Sequence, residues 1–146
     1  MRYRIPSPTH SLDEELQFGL SRCMGARQAL GLPSIGFDWV APTLRSGFTG
    51  PRNTTGVVNS KASMELWSKL QIWPNGVQKD RKSANLFTAE NGHFRLSVQD
   101  CALLQGFPED WPFCGAVYQI LGQIGNSVCP PVAYQMACSV AAAIKE

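Results

Sequence analysis

At 146 residues and 16.0 kDa the chain has room for one ordinary domain, or one with an appendage. With 44% apolar and 16% charged residues it is not composed like a disordered protein, and a net charge of +2 excludes a polycation. Five cysteines (Cys23, Cys101, Cys114, Cys129, Cys138) with no Cys-x-x-Cys pair argue against a zinc site and a secreted disulfide scaffold.

Residues 1–10 read as an extended lead-in, because Pro6 and Pro8 alternate with other residues and block helix. The start, Met1-Arg2-Tyr3-Arg4, has no apolar core of a signal peptide, so a soluble, cytoplasmic protein is expected. Residues 11–31 suit a helix: Ser11 as N-cap, Glu14 completing a capping box, Leu12, Leu16 and Leu20 at helical spacing, and Gly31 and Pro33 as the stop. Residues 38–60 are punctuated by glycine, proline and Asn53-Thr54-Thr55, which predicts a loop-rich, irregular sheet region. A short helix capped by Ser63 is expected before Trp73-Pro74-Asn75-Gly76, and Gln78–Asn85 is expected to be an exposed loop.

Ser97 and Asp100 then form a second capping box ahead of Cys101-Ala102-Leu103-Leu104, with Gly106 and Pro108 as the stop. Leu96, Val98, Ala102, Leu104 and Phe107 should pack inward, and Trp39, Trp67, Trp73 and Trp111 are read as core anchors. Gly122–Val128 reads as a turn with exposed backbone amides, and Pro130-Pro131 opens a terminal helix of about four turns. That helix is apolar on nearly every side (Val132, Met136, Val140 and Ala143 on one stripe; Ala133, Ala137, Ala141 and Ile144 on another), yet too short to span a bilayer. The cysteines are expected to be reduced and mostly buried. His10 and His93 lack partners at metal-ligand spacing.

Charge is unevenly placed. Residues 41–82 hold seven basic side chains against Glu65 and Asp80, a local balance of +5, so the rest of the chain carries −3. One cationic face for an anionic partner follows. From the residues alone, the chain is a soluble α+β domain with a basic, glycine-rich face.

Two segments go further. Arg95-Leu96-Ser97-Val98-Gln99-Asp100-Cys101-Ala102-Leu103-Leu104-Gln105-Gly106-Phe107-Pro108 resembles the ninth motif of the cytosine-5 DNA methyltransferases. Gln123-Ile124-Gly125-Asn126-Ser127-Val128, running into Pro130-Pro131-Val132-Ala133, resembles their tenth. Asp38 followed by Ala41-Pro42-Thr43-Leu44 is similar to the threonine–aliphatic pair of the target-recognition domain. The family usually carries glutamate at the place of Asp100 and arginine at that of Leu103.

The resemblance implies an α+β piece: a small irregular mixed target-recognition domain, plus a C-terminal helix that packs onto a doubly wound α/β catalytic domain supplied by another chain. It divides the chain into a lead-in (1–10), a target-recognition domain (11–94), the ninth motif and cofactor-side turn (95–128) and the C-terminal helix (129–146). It implies Asn126, Ser127 and Val128 beside S-adenosylmethionine, and Thr43, Leu44, Arg45, Arg52 and Lys61 on double-stranded DNA. Arg45 and Arg52 have the fork that reads guanine edges. Lys61, Lys79, Arg81 and Lys82 are candidates for phosphates.

No catalytic or metal-ligating residue is expected here. Methyl transfer to C5 needs a thiolate to add at C6, which this family takes from a Pro-Cys dipeptide, and the sequence has none; Cys129 precedes its proline. The family's glycine-rich cofactor loop is also missing, and Glu90-Asn91 lies in the wrong part of the chain for the acid motif. The expectation is the small chain of a two-subunit enzyme, inactive alone, whose large partner carries motifs one to eight. A stand-alone DNA-binding module and an inactive remnant are the alternatives.

Overall fold

The computed structural model describes residues 4–12, 19–45, 60–87, 89 and 91–145. Its centre is one crossover. Helix α2 (Lys61–Lys69) leads into strand β3 (Ile72–Gln78); the chain then passes through helix α3 (Arg81–Leu86) and returns as strand β4 (Phe94–Ser97), parallel to β3. A parallel pair needs such a connection, because a tight hairpin reverses direction. The strands pair Ile72 with Phe94 and Trp73 with Arg95, then slip before Gln78 meets Ser97. The slip falls on Pro74-Asn75-Gly76, where proline lacks a donor and Gly76 has a φ of 66°. The irregular β-bulge thus occupies residues that the sequence reading took as a stop.

Ser97 ends β4 and caps helix α4 (Val98–Leu104), with Asp100 reaching back in a complete capping box. Helix α5 (Val117–Asn126) packs against α4, and helix α6 (Pro130–Lys145) closes the chain. The core joins Trp67, Leu70 and Ile72 to Leu96, Val98 and Cys101, with Leu121 and Ile124 from α5 and Leu30 and Leu44 from upstream. Ala102 and Phe107 are buried and Leu104 partly so, as the pattern predicted. These elements fit a small mixed α+β class.

Several expectations are corrected. Residues 11–31 are not one helix: His10–Ser11 (β1) and Ser21–Arg22 (β2) form a short parallel pair, and only Ala26–Ala29 (α1) is helical. Residues 13–18, including Glu14 and Leu16, lie outside the described residues. Gly19, at φ 72°, interrupts the helical pattern; Gly31, at φ 66°, provides the predicted stop. Helix α2 is capped by Ser60, which accepts from the Ser63 amide, so the cap lies one turn earlier than expected. The expected loop 78–85 is largely helix α3, because Asp80 caps it by accepting from the Ser83 amide at 2.7 Å.

The expected turn 122–128 is mostly the end of α5, so the Gly125 and Asn126 amides belong to a helix. Trp39 and Trp111 are 38% and 48% exposed, unlike the buried Trp67. Cys101 is buried, but Cys114 and Cys138 are exposed and Cys23 and Cys129 intermediate, so most of the thiols are not deep in the core.

The stretch Val117–Lys145 has the length and composition to cross a membrane. It is divided, however: Ser127 is extended (φ −80°, ψ 155°), leaving helices of 10 and 16 residues. The longer is about 24 Å at about 1.5 Å per residue, short of a hydrocarbon core of about 30 Å.

Candidate DNA-recognition and cofactor-side surfaces

The residues expected on DNA begin where the 38–45 segment leaves the core. Asp38 anchors this segment: its carboxylate accepts from the Arg27 and Gln28 amides at 2.9 Å each and so caps α1. Gly25 makes room, since a Cβ there would overlap the Asp38 carboxylate. Ala26 donates to the Trp39 carbonyl at 2.7 Å, closing the junction. From this anchor Leu44 inserts into the core, while Thr43 and Arg45 are exposed on either side. Lys61 is exposed as the first residue of α2. Arg52 lies outside the described residues, within 46–59. The described part of the surface is therefore two stems, 43–45 and 60–61.

The candidate phosphate contacts separate by environment. Lys79 and Lys82 are exposed, whereas Arg81 turns inward. Its Nε donates to Asp100 Oδ1 at 2.7 Å, Nη2 pairs with the same oxygen, and Nη2 also donates to the Leu30 carbonyl at 3.0 Å. Asp100 is fully buried, and its other oxygen accepts from the Ser97 amide and hydroxyl at 2.8 and 2.6 Å. Arg81 thus ties α3, α4 and α1 together, while its side chain stays partly open to solvent.

At the other end of the chain, Asn126 and Val128 are exposed and Ser127 is half-buried at the α5–α6 corner. Ser127 Oγ donates to the Ile124 carbonyl at 2.7 Å, and Gln105 Nε2 donates to the Ser127 carbonyl at 3.1 Å, fixing the corner to the end of α4. Gly106 permits that contact: a Cβ there would lie 2.8 Å from Cys129 Sγ and 3.3 Å from Pro131 Cδ. Pro130 and Pro131 remove the first amides of α6, so its N-terminus presents few donors. An exposed amide side chain and a valine can form one wall of a site for a polar, methyl-bearing cofactor.

Cys101 has no nucleophilic use. Burial, with the neighbouring Asp100 carboxylate, pushes its thiol far above the usual range. Among the described residues no group of three or more His, Cys, Asp or Glu side chains is placed to hold a metal ion. Two further cations carry no mark in the sequence: buried Arg27 and half-buried Arg95, both engaged with backbone carbonyls. Arginine is read from sequence as surface by default.

The family model described as C-5 cytosine-specific DNA methylase matches residues 39–142. The chain belongs to this family. The match runs from Trp39 through both terminal motifs to the last turns of α6. The type II methyltransferase M.NgoMIV of Neisseria gonorrhoeae is 42% identical over 52 residues, 36% of this chain and 17% of its own length. The type II methyltransferase M.MspI of Moraxella sp is 31% identical over 94 residues, 64% of this chain and 20% of its own. A DNA (cytosine-5)-methyltransferase 1A of Oryza sativa subsp. japonica is 44% identical over 41 residues, 28% of this chain and 3% of its own. The chain spans a fifth or less of the length of each. No solved structure gives a significant match to it. Members of the C-5 cytosine methylase family normally take their methyl group from S-adenosylmethionine.

Proposed function

We propose that this chain is the DNA-recognition portion of a cytosine-5 DNA methyltransferase, a soluble cytoplasmic enzyme whose nucleophile and most cofactor contacts come from a partner chain carrying motifs one to eight. The observation that carries this is the family match over 39–142 in a sequence with no Pro-Cys dipeptide. The partner's thiolate would add to C6 of a cytosine flipped from double-stranded DNA, the methyl group would pass to C5, and loss of the C5 proton with expulsion of the thiolate from C6 would restore the ring. S-adenosylmethionine supplies that methyl group when bound. This chain's part is to choose the cytosine: Thr43, Arg45, Arg52 and Lys61 are its proposed DNA contacts, and Leu44 holds the 43–45 segment to the core.

Asn126, Ser127 and Val128 form the wall of the cofactor site that this chain contributes. Helix α6 supports a second body packed on this chain. Of its sixteen residues only Ala143 is buried, while Val132, Tyr134, Met136, Val140 and Ile144 are exposed. An apolar helix left open to this degree needs a second surface, and the partner's doubly wound domain supplies one.

Methylation assays with the purified chain, with the candidate partner, and with both test the reading. Methyl transfer is expected only from the mixture; transfer by this chain alone overturns it. In the assembled enzyme, Asn126→Ala is expected to raise the KM for the methyl donor about tenfold, the loss of one good hydrogen bond, with DNA affinity unchanged. Arg45→Ala should do the converse; equal cognate DNA affinity in a gel-shift titration rejects its role.

A further inference from the structure

We infer that a cleft between α1, α3 and β4, on residues apart from the recognition loops, receives a phosphate group, and that in the DNA complex this is a backbone phosphodiester. Its source in DNA rests on the proposed function; the cleft's affinity for phosphate does not. The cleft has a volume of about 400 Å³, and its polar lining consists of Arg27, Gln71, Asn85, His93 and Arg95. Among its described residues there is no carboxylate.

Three features make this a built site. Arg27 is only 7% exposed, and its guanidinium meets the Pro33 and Leu70 carbonyls, with no carboxylate among its described hydrogen-bond partners. Burying such a charge among neutral acceptors is costly, and an anion nearby offsets the cost. Arg95 is arranged likewise, donating to the Phe87, Asn75 and Gly76 carbonyls.

His93 adds a ring nitrogen. Its backbone amide donates to Asn91 Oδ1 at 3.2 Å, which orients the Asn91 amide so that Nδ2 faces His93 Nδ1 at 2.9 Å. Nδ1 is engaged by Asn91, which leaves Nε2 as the ring nitrogen outside that contact. Gln71 is the third feature, the one described non-glycine residue with positive φ (52°). Glycine or asparagine is usual in that conformation after a helix, so a long amide side chain is kept here against a backbone penalty. Leu86 and Phe87, 74% and 60% exposed, follow Asn85 at the rim, where apolar side chains can meet sugars or bases beside a bound phosphate.

The test titrates the full chain with inorganic phosphate, and separately with a short mixed-sequence DNA duplex, following backbone amide resonances and salt dependence. Two variants spare the fold: Gln71→Gly relieves the backbone, and Asn85→Asp puts a carboxylate at an exposed position. Inorganic phosphate is expected to shift the Gln71, Gly92 and Phe94 amides, and Asn85→Asp to weaken that binding about tenfold by like-charge repulsion. In the duplex arm Asn85→Asp should lower the slope of log K against log salt by about one while base preference stays the same, whereas Gln71→Gly, which removes no charge, serves as the control. Absent shifts with phosphate, or equal phosphate binding in Asn85→Asp, overturn the cleft. Shifts with phosphate but an unchanged slope for DNA overturn the phosphodiester assignment and leave a free-anion site. If neither this chain nor the mixed enzyme binds DNA, the proposed function fails instead, and the phosphate arm judges the cleft alone.

Discussion

Asp100 shows how one carboxylate can organise three helices. It is fully buried, yet Ser97 occupies one oxygen and Arg81 the other, so its lone pairs are met without solvent. Removing Arg81 strands a buried anion, whereas Arg81 itself remains partly open to water. Arg81→Ala is therefore expected to cost about 2–3 kcal/mol in a denaturant titration; a change within experimental error would show the contact to be ornamental. Gln71→Gly should move the other way, gaining about 0.5–1 kcal/mol by relieving a positive φ, read as a higher urea midpoint with unchanged slope. Asp80 gives a pH test. The hydrogen bond from the Ser83 amide holds its carboxyl below the ordinary 3.8. A group lowered on folding contributes stability above its unfolded pKa and loses it as pH falls through the folded one. Stability should thus decline below about pH 4, and Asp80→Asn, which keeps a capping oxygen, should flatten that part of the acid limb.

At the scale of elements, what could be read in advance was what short-range chemistry decides. The capping box of Ser97 and Asp100, the stop at Gly31 and the proline start of α6 are local rules, and the structure keeps all three. Pro74 and Gly76 misled because in isolation they signal a turn; pairing with β4 turns them into a bulge whose carbonyls Arg95 occupies. Gln123–Asn126 misled likewise: two glycines flank Gln123 and Ile124, but Leu121 and Ile124 are buried, and packing against α4 carries the helix through them. Of the candidate site, the stems 43–45 and 60–61 and the corner 126–128 were legible as motifs. The inward turn of Arg81 and the buried charge of Arg27 were not, since both depend on carbonyls far away in sequence. Helix α6 can be probed directly. Val140→Asp is exposed here and should shift the chain's own stability by less than about 0.5 kcal/mol. In the mixture with the proposed partner it should abolish association, measured by light scattering; undiminished complex formation would remove α6 from the interface.

For the whole molecule, the decisive contrast is between a core that closes on itself and a last helix that does not. The core draws on α1, α2, both long strands, α4 and α5, so a defined fold does not wait for α6. At its first turn Gly106 lets Cys129 and Pro131 settle against the end of α4, and towards its far end only Ala143 is buried. Cellular supply follows from this geometry. If the proposed two-chain enzyme holds, copies made in excess of their companion would carry an uncovered apolar rod that attracts chaperones, proteases or sister copies. Matched synthesis of the two proposed polypeptides would then keep such orphans scarce.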